Sequence, residues 1–461
     1  MRFFSKTTLG DRHYYRRFFT LMMPLVIQNT VTNAVNLLDN VMIGQTGTTP
    51  MAAVAIVNQL IFVFFLAVFG ALSGPSILST QFVGAKNHAG VRNCFRFKFL
   101  FCTFVTILCC AIFCMFPEAL LKLFIRGNNA PETVADTLAY GRRYLFIMVT
   151  GLPLFTATAI YASTLREYGQ TKIPMLASLL ALATNLGGNY VLIFGHFGFP
   201  AMGISGAAIA TVASRVLEAV IVVAYTHRNA ISYPFIRNAF ASFRLPLSLV
   251  KDIVWRGTPL LLNEVVWALG ISAVFQCYSS RGLHVVAALN IVFTISNLFK
   301  CIFFSIGSVT AVMIGHELGK DNINGARLTM NRLTLSSLCI AILTGALCII
   351  CARPLALCYN VEADIHRMAI VLLYITAFTA PFDVVIHNCY FAIRAGGQGF
   401  IAFLMDGIYL WCVQVSVCIF IGHHTNMHIY PFYAISNAVM CVKAFLCQYL
   451  ISRSFWLKKI V

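Results

Sequence analysis

The chain has 461 residues, of which 59% are hydrophobic and only 10% are charged, and its mean hydropathy is +0.81. A soluble domain carries about 25% charged residues, so a water-soluble fold is excluded and the bilayer must be the solvent. The formal net charge is +18, but Lys and Arg lie in short segments between apolar runs rather than on one basic arm. This distribution argues against nucleic acid as a partner.

Twelve apolar runs are long enough to cross a membrane, because a span needs roughly 20 such residues. In chain order the predicted spans are 18–42, 51–80, 97–116, 143–165, 173–194, 203–226, 258–279, 284–314, 333–352, 368–393, 399–420 and 429–452. The first run is too long for a signal peptide and no small-residue cleavage site follows it, so we expect it to stay as a span. The sequence therefore predicts an all-α, multi-pass membrane protein.

The distribution of basic residues gives the predicted orientation. With the amino terminus in the cytoplasm, the inner segments hold 23 Lys and Arg and the outer loops hold seven. Because cytoplasmic loops favour these residues, both termini are expected inside. The predicted organisation is a cytoplasmic amino terminus over 1–17, a first lobe over 18–226, a cytoplasmic linker over 227–257, a second lobe over 258–452 and a cytoplasmic carboxyl terminus over 453–461.

The two lobes repeat each other in sequence. Pro24 and the loop that begins at Gly84 return 235 positions later as Pro259 and Gly319. A second set of landmarks, offset by 228, consists of Pro153, Arg166, Gly169 and Gln170, which recur as Pro381, Arg394, Gly397 and Gln398. Because each lobe has six spans, the repeats are expected to be parallel, related by an axis along the membrane normal. Such a repeat is typical of transporters with a central cavity between two lobes.

Five carboxylates fall inside the apolar spans, where a charge costs about 2.5–3.5 kcal/mol on insertion scales and therefore indicates a function. They are Asp39, Glu218, Glu264, Asp383 and Asp406. Glu218 follows Arg215 by three residues, the spacing of a helical ion pair, so a structural role is favoured for it. Asp406 has no evident partner in the sequence.

Asp39 lies in the first span on a polar face of the predicted helix. Gln28, Asn33 and Asn36 fall on or beside the same face at the helical period. The alternative is an aspartate at the outer end of the helix that reaches the headgroups, since Gly44 ends the helix about one turn later. The length of the polar stripe favours a functional site.

Asp383 begins a second polar stripe. His387, Tyr390 and Arg394 follow it on one helix face, and Pro381 precedes it by two residues. The alternative is a buried structural pair of Asp383 with His387 or with Arg394, and His387 could also share a proton with Asp383.

Glu264 lies beside Asn263, after Pro259 and one turn before Trp267. A carboxylate near an aromatic ring suits an organic cation. The alternative is that Glu264 has no functional role and lies near the inner membrane surface, where its carboxylate reaches the membrane–water interface.

The sequence has no enzyme motif and no P-loop, so ATP does not drive the chain directly and no cofactor is expected. The 16 cysteines lie mostly in apolar runs without the spacing of zinc ligands. We therefore expect no important disulfide.

Several segments together resemble the MATE family, the multidrug and toxic compound extrusion transporters. They are the runs Leu37–Gly44, Val83–Asn87, Leu165–Gln170 and Gly206–Thr211, and their order, spacing and repetition carry the resemblance. The resemblance covers nearly the whole chain and implies twelve helices in two lobes.

The resemblance also implies roles for single residues. Asp39 matches a first-span aspartate implicated in cation coupling, and Pro24 matches a first-span proline associated with helix bending. Asp383 matches a tenth-span aspartate, and Glu264 loosely matches a seventh-span glutamate of Na⁺-coupled members, displaced by about one turn. These three acids are therefore the candidate coupling and substrate residues, and a Na⁺ site is expected at Glu264, Asp383 or Asp39.

The fifth span departs from the family. Several members carry Asn-x-x-x-Asp there, whereas this chain has Asn185 and Asn189. An amide binds Na⁺ through its oxygen but does not titrate, so coupling in the first lobe would depend on Asp39 alone. Glu264 and Asp383 in the second lobe therefore become stronger candidates for ion coupling.

The expected function is a secondary active antiporter that exports small organic, often cationic, compounds or drugs in exchange for H⁺ or Na⁺ by rocking of its two lobes. It would lie in the plasma (inner) membrane, contact the lipid bilayer and function as a monomer. One alternative is a flippase for a lipid-linked saccharide or another amphipath on a related fold, which the interior acids disfavour. The other is a receptor or scaffold without transport, which the two-lobe repeat disfavours.

Overall fold

The computed structural model describes residues 10–125, 131–359 and 361–461, and these residues form helices and turns but no strand. Twelve of the helices are long and apolar enough to cross a membrane, which confirms the predicted all-α fold class. They are α1 (Arg12–Gly44), α2 (Thr48–Gly84), α3 (His88–Met115), α4 (Glu132–Glu167), α5 (Lys172–Phe194), α6 (Ile204–Arg228), α7 (Leu247–Ser279), α8 (Leu283–Gly319), α9 (Ile323–Ala356), α10 (Ala363–Ala395), α11 (Gly399–His424) and α12 (Ile429–Ser452).

The helices extend beyond the apolar runs that predict them. Helices α2 and α8 have 37 residues each. At 1.5 Å per residue each is about 55 Å long, against a hydrocarbon core of about 30 Å. Helix α7 begins at Leu247, inside the segment 227–257, and its first turns carry charged residues. Helices of this length must tilt or project from the bilayer.

The chain forms two compact units. The amino unit comprises Met23–Ser79 and His88–Val250, and the carboxyl unit comprises residues 10–22, Thr80–Asn87 and Lys251–Val461. The carboxyl unit therefore contains α7 from Lys251 onward and α8–α12, together with the first turns of α1 and the last turns of α2. The amino-terminal segment over 1–17 begins outside the described residues, and its described part belongs to the carboxyl unit.

In the amino unit, α6 packs against both α4 and α5, and α3 packs against α4. The segment after α6 is anchored to α3. The Arg92 guanidinium donates to the carbonyl oxygen of Phe235 at 3.3 Å, and that of Arg96 donates to the carbonyl oxygen of Ala239 at 2.7 Å. Phe95 adds a ring contact with Phe235, with centroids 5.3 Å apart. The first part of the predicted linker is therefore a fixed portion of the amino unit.

In the carboxyl unit, α10 packs against α8, α9 and α12. Apolar side chains such as Leu289, Ala352, Leu372 and Phe432 form the buried core between these helices. Helix α11 is not a regular α-helix, because Leu404–Ile408 and Leu410–Val415 are π-helical. Such turns are frequent at functional sites, where they change the direction of a side chain.

The carboxyl-terminal tail is held by one side chain of α2. Gln81 is fully buried, and its Nε2 donates to the carbonyl oxygens of Ala395, at 2.8 Å, and of Lys458, at 3.2 Å. Its Oε1 accepts a hydrogen bond of 2.8 Å from the backbone N–H of Ile460. The tail thus packs as part of the carboxyl unit.

Helices α2 and α8 contact each other backbone to backbone at their carboxyl ends. A Cβ on Gly84 would overlap the backbone oxygen of His316, and a Cβ on Gly319 would overlap that of Gln81. Both glycines come from the repeated loop that the sequence shows. Their repetition therefore reflects a close helix approach that no larger residue allows.

We expect Gly84→Ala to destabilise the protein by about 1–3 kcal/mol, because backbone atoms of both helices must move to admit the methyl group. Thermal unfolding in detergent measures the change. The matched control is Gly187→Ala in α5, where nothing lies within 4 Å of the added Cβ. That variant should be neutral or gain up to about 1 kcal/mol from its higher helix propensity. Equal midpoints for the two variants would contradict the close approach.

Candidate functional site

The amino unit contains a cavity of about 380 Å³ that is walled by α1, α2, α4, α5 and α6. Four of the predicted site residues line it, namely Asn36, Asp39, Asn185 and Asn189. Among the described residues that line the cavity, Asp39 is the only carboxylate. The fold therefore brings the first-span and fifth-span candidates to one place.

Asp39 is held by two amides of α5. Asn189 Nδ2 donates to Asp39 Oδ1 at 2.8 Å. The hydrogen-bond network assigns the Asn185 amide so that its nitrogen donates to Asp39 Oδ2 at 2.8 Å while its oxygen accepts from Thr211 Oγ1 at 3.0 Å. The two asparagines lie four residues apart, so one face of α5 presents both amides to one carboxylate.

This arrangement can hold either an anion or a cation at Asp39. A side-chain amide carries donors on nitrogen and an acceptor on oxygen. In the structure the amide nitrogens of Asn185 and Asn189 face the carboxylate and stabilise its negative charge. Rotation of either amide would turn an oxygen toward Asp39, which suits a protonated carboxyl group or a Na⁺ ion.

Aromatic side chains form the apolar part of the cavity. Phe62 and Phe65 of α2 and Phe155 of α4 line it together with Tyr144. The Phe65 and Phe155 rings are in close contact, with centroids 4.2 Å apart and planes tilted by 32°. An aromatic surface beside a carboxylate attracts an organic cation through the ring quadrupole and the charge.

Arg215 also lines this cavity, and the sequence reading did not place it there. Its Nη1 lies 2.6 Å from Glu218 Oε2, so the ion pair predicted from the helical spacing is present. Its guanidinium lies over the Phe155 ring, 6.0 Å from the centroid. Because Glu218 neutralises Arg215, Asp39 carries the uncompensated charge of the cavity.

Three predicted residues of α1 do not line the cavity. Pro24 is buried within α1, whereas Asn33 is half-buried. Gln28 Oε1 accepts a hydrogen bond of 3.3 Å from Arg166, one of the repeated landmarks. The roles proposed for these residues in helix bending or ion coupling stay predictions.

In the carboxyl unit, Asp383 pairs with a residue that the sequence reading missed. Lys300 Nζ of α8 lies 3.5 Å from Asp383 Oδ2. His387 Nδ1 instead contacts the backbone oxygen of Asp383 at 2.9 Å, because the helix turn places its ring beside the main chain. The suggested proton sharing or pairing between the His387 ring and the Asp383 carboxylate is therefore wrong for this structure.

Tyr390 belongs to a second group of side chains, around α7. Its hydroxyl accepts a hydrogen bond of 3.1 Å from Asn263 Nδ2 and one of 3.4 Å from Arg394 Nη1. Glu264 is half-buried and makes no hydrogen bond or ion pair with the described residues, although Arg394 and Asp406 act on it electrostatically. Arg394 is therefore a partner of Tyr390 and not of Asp383.

Both carboxylate oxygens of Asp406 in α11 have partners. Lys443 Nζ of α12 lies 2.7 Å from its Oδ1, and Asn263 Nδ2 donates to its Oδ2 at 3.0 Å. One feature of the sequence indicated the basic partners of these interior acids. Arg215, Lys300 and Lys443 are the three basic residues that fall in neither the inner nor the outer loops. A cation inside an apolar span implies an anion nearby.

Comparison with known proteins decides the family. The profile of the MatE family matches residues 24–191 and again residues 260–420, which together cover well over half of the chain. The chain belongs to the MatE family. The resemblance seen in the sequence is thereby confirmed, and the two matched segments lie one in each repeat.

Relatives of this MatE protein carry the names of multidrug efflux proteins. It is 23% identical to the multidrug resistance protein MdtK of Pectobacterium atrosepticum, over 80% of this chain and 79% of that one. It is also 23% identical to the probable multidrug resistance protein NorM of Neisseria meningitidis serogroup A, over 92% and 91%. It is thus an integral, multi-pass membrane protein of a multidrug efflux transporter family.

Solved structures of this family share the fold. A mutant of the Vibrio cholerae MATE transporter VcmN superposes with a TM-score of 0.85 at 18% identity and covers 98% of this chain and 99% of its own. A MATE protein in complex with MaL6 gives a TM-score of 0.83 at 18% identity, with the same coverage. The twelve-helix, two-lobe fold is therefore confirmed.

Proposed function

We propose that this MatE protein is a secondary active antiporter that exports small organic cations in exchange for inward H⁺ or Na⁺. The observation that carries the proposal is the amino-unit cavity, in which Asp39 shares about 380 Å³ with a wall of phenylalanine rings. Ligand pockets measure about 300–1,000 Å³, so this volume suits a small molecule. One carboxylate with aromatic faces selects for a cationic one.

Coupling follows from competition for the charge of Asp39. The ionised carboxylate binds the organic cation, whereas H⁺ or Na⁺ neutralises it and weakens that binding. The amides of Asn185 and Asn189 can stabilise either state by rotation. Their nitrogens face the ionised carboxylate, and their oxygens would face the protonated or Na⁺-bound one. A one-to-one exchange with a monovalent organic cation moves no net charge, so the concentration gradient of the inward ion drives it. Each tenfold ion gradient supplies about 1.4 kcal/mol and supports a substrate gradient of about tenfold.

The same proposal includes location and assembly. Both termini are cytoplasmic, because 23 basic residues fall in the inner segments against seven in the outer loops. The protein lies in the plasma membrane, functions as a monomer without a cofactor, and uses the coupling ion itself as a substrate.

Binding to the purified protein tests the substrate class. Tetraphenylphosphonium and tetraphenylborate have the same shape and opposite charge. We expect the phosphonium to bind and the borate not to compete with it. Lower pH or higher Na⁺ should weaken phosphonium binding, because either ion occupies Asp39. Phosphonium binding should also release protons, or displace Na⁺, in a one-to-one ratio.

Two results would overturn the proposal. One is equal binding of the borate, which would indicate that the cavity does not select for positive charge. The other is phosphonium binding that responds to neither pH nor Na⁺, which would remove the competition on which coupling depends.

A further inference from the structure

The acids inside the carboxyl unit differ from Asp39 in what neutralises them. Asp39 is held by neutral amides, whereas Asp406 and Asp383 each contact a lysine from another helix. A lysine ammonium is a monovalent cation that is covalently attached to the protein through a flexible side chain. The partners of these acids therefore decide whether a free cation can bind there.

The Lys443–Asp406 pair is buried and closely joined. The Lys443 side chain is 3% exposed, and its Nζ lies 2.7 Å from Asp406 Oδ1. The ammonium also lies over the ring of Tyr409, 5.7 Å from the centroid. Removing either partner of such a pair leaves a buried charge without compensation.

The remaining oxygens around Asp406 are also engaged. Its Oδ2 accepts from Asn263 Nδ2 at 3.0 Å, and Asn263 Oδ1 in turn accepts from the backbone N–H of Gly407 at 2.9 Å. Gly407 belongs to the π-helical turn of α11, so the backbone distortion helps to fix this amide. The Tyr390 hydroxyl accepts from Asn263 as well. Both carboxylate oxygens of Asp406 and the side-chain oxygen of Asn263 therefore already accept a hydrogen bond or an ion pair.

The second pair is looser. Lys300 Nζ lies 3.5 Å from Asp383 Oδ2, and the Lys300 side chain is 39% exposed. Glu264, the third acid, is influenced by the buried guanidinium of Arg394.

We propose that Lys443 acts as the resident cation of Asp406 and excludes Na⁺ from that carboxylate, as Lys300 does at Asp383, so that the coupling ion binds at Asp39. Lys443 is then a specificity-determining residue. This inference rests on the proposed antiport, since only an antiporter has a coupling ion. Its test, however, uses ion binding to the purified protein and needs no transport. A protein that binds ions as described and shows no efflux would refute the antiport alone.

The test measures saturable binding of radiolabelled Na⁺ to the purified full-length protein. In the Asp39→Asn background we expect no saturable Na⁺ binding. Adding Lys443→Met should free the Asp406 carboxylate and create a saturable Na⁺ site that the background lacks. Adding Asp406→Asn as well should remove the new site, because the charge that binds the ion is gone.

Thermal unfolding of each variant accompanies the binding measurement. The variant with both Lys443→Met and Asp406→Asn is expected to unfold close to its background, since no charge is left unpaired. Saturable Na⁺ binding that persists in the Asp39→Asn background would overturn the inference. So would a folded Asp39→Asn/Lys443→Met protein that gains no Na⁺ site. If the latter protein does not fold, the Asp39→Asn background alone decides.

Discussion

Asp39→Asn is expected to lower ion-driven export of an organic cation by about 30- to 100-fold. A truncated charge pair in a closed site loses roughly 2–5 kcal/mol, and each 1.4 kcal/mol corresponds to a factor of ten. The fold should survive, because an asparagine oxygen at this position still accepts from Asn189, which lies 2.8 Å from Asp39 Oδ1. The measurement is the rate of tetraphenylphosphonium movement in proteoliposomes with an imposed pH or Na⁺ gradient.

The matched control removes the same charge elsewhere. Asp136 is exposed near the start of α4 and does not line the cavity. Asp136→Asn should keep the rate of the unaltered protein. Similar losses in the Asp136 and Asp39 variants would indicate a general effect of charge, and full activity of Asp39→Asn would remove Asp39 from the mechanism.

Lys98→Met is expected to destabilise the amino unit by about 3–5 kcal/mol, the loss seen when one partner of a buried ion pair is removed. The Lys98 side chain is 0% exposed, and its Nζ lies 2.5 Å from Glu167 Oε1. Ser163 and Thr164 accept from the same ammonium at 3.2 Å each. Thermal unfolding in detergent measures the change, and it should exceed that of any variant of an exposed lysine such as Lys172.

Removing both charges provides the control. In Lys98→Met/Glu167→Gln no buried charge lacks compensation, so most of the lost stability should return. The helices α3 and α4 would then still pack through their apolar side chains. If the double variant is as unstable as the sum of the two single variants, the pair carries no coupling energy and the account of this contact is wrong.

The membrane spans were predictable because each helix that crosses the bilayer needs a continuous apolar run, and such runs are visible in the sequence. The Arg215–Glu218 pair was predictable for a similar reason, since both residues lie on one helix at a fixed spacing. The π-helical turns around Asp406 were not, because hydrophobic periodicity does not reveal a local change in hydrogen-bond register. The observed helix ends also differ from the predicted span limits, because turns with charged residues extend the helices beyond their apolar runs.

The partners of the interior acids were less predictable than the acids themselves. Asp383 and Lys300 lie on different helices, as do Asp406 and Lys443, and sequence spacing carries no information on such contacts. The polar stripe pointed to Asp39, which lines the cavity of the amino unit, but the aromatic wall of that cavity comes from α2 and α4. A basic residue inside an apolar span was the one signal in the sequence that pointed to these pairs.

Ion uptake driven by the outward flux of substrate reports the coupling itself. Proteoliposomes are loaded with tetraphenylphosphonium and diluted into medium without it, with equal pH and Na⁺ on both sides and the membrane potential clamped. Antiport predicts that outward movement of the phosphonium drives H⁺ or Na⁺ inward against no initial gradient, and that Asp39→Asn abolishes this ion uptake. Phosphonium efflux that exceeds the leak of protein-free liposomes and proceeds without any inward ion movement would refute antiport.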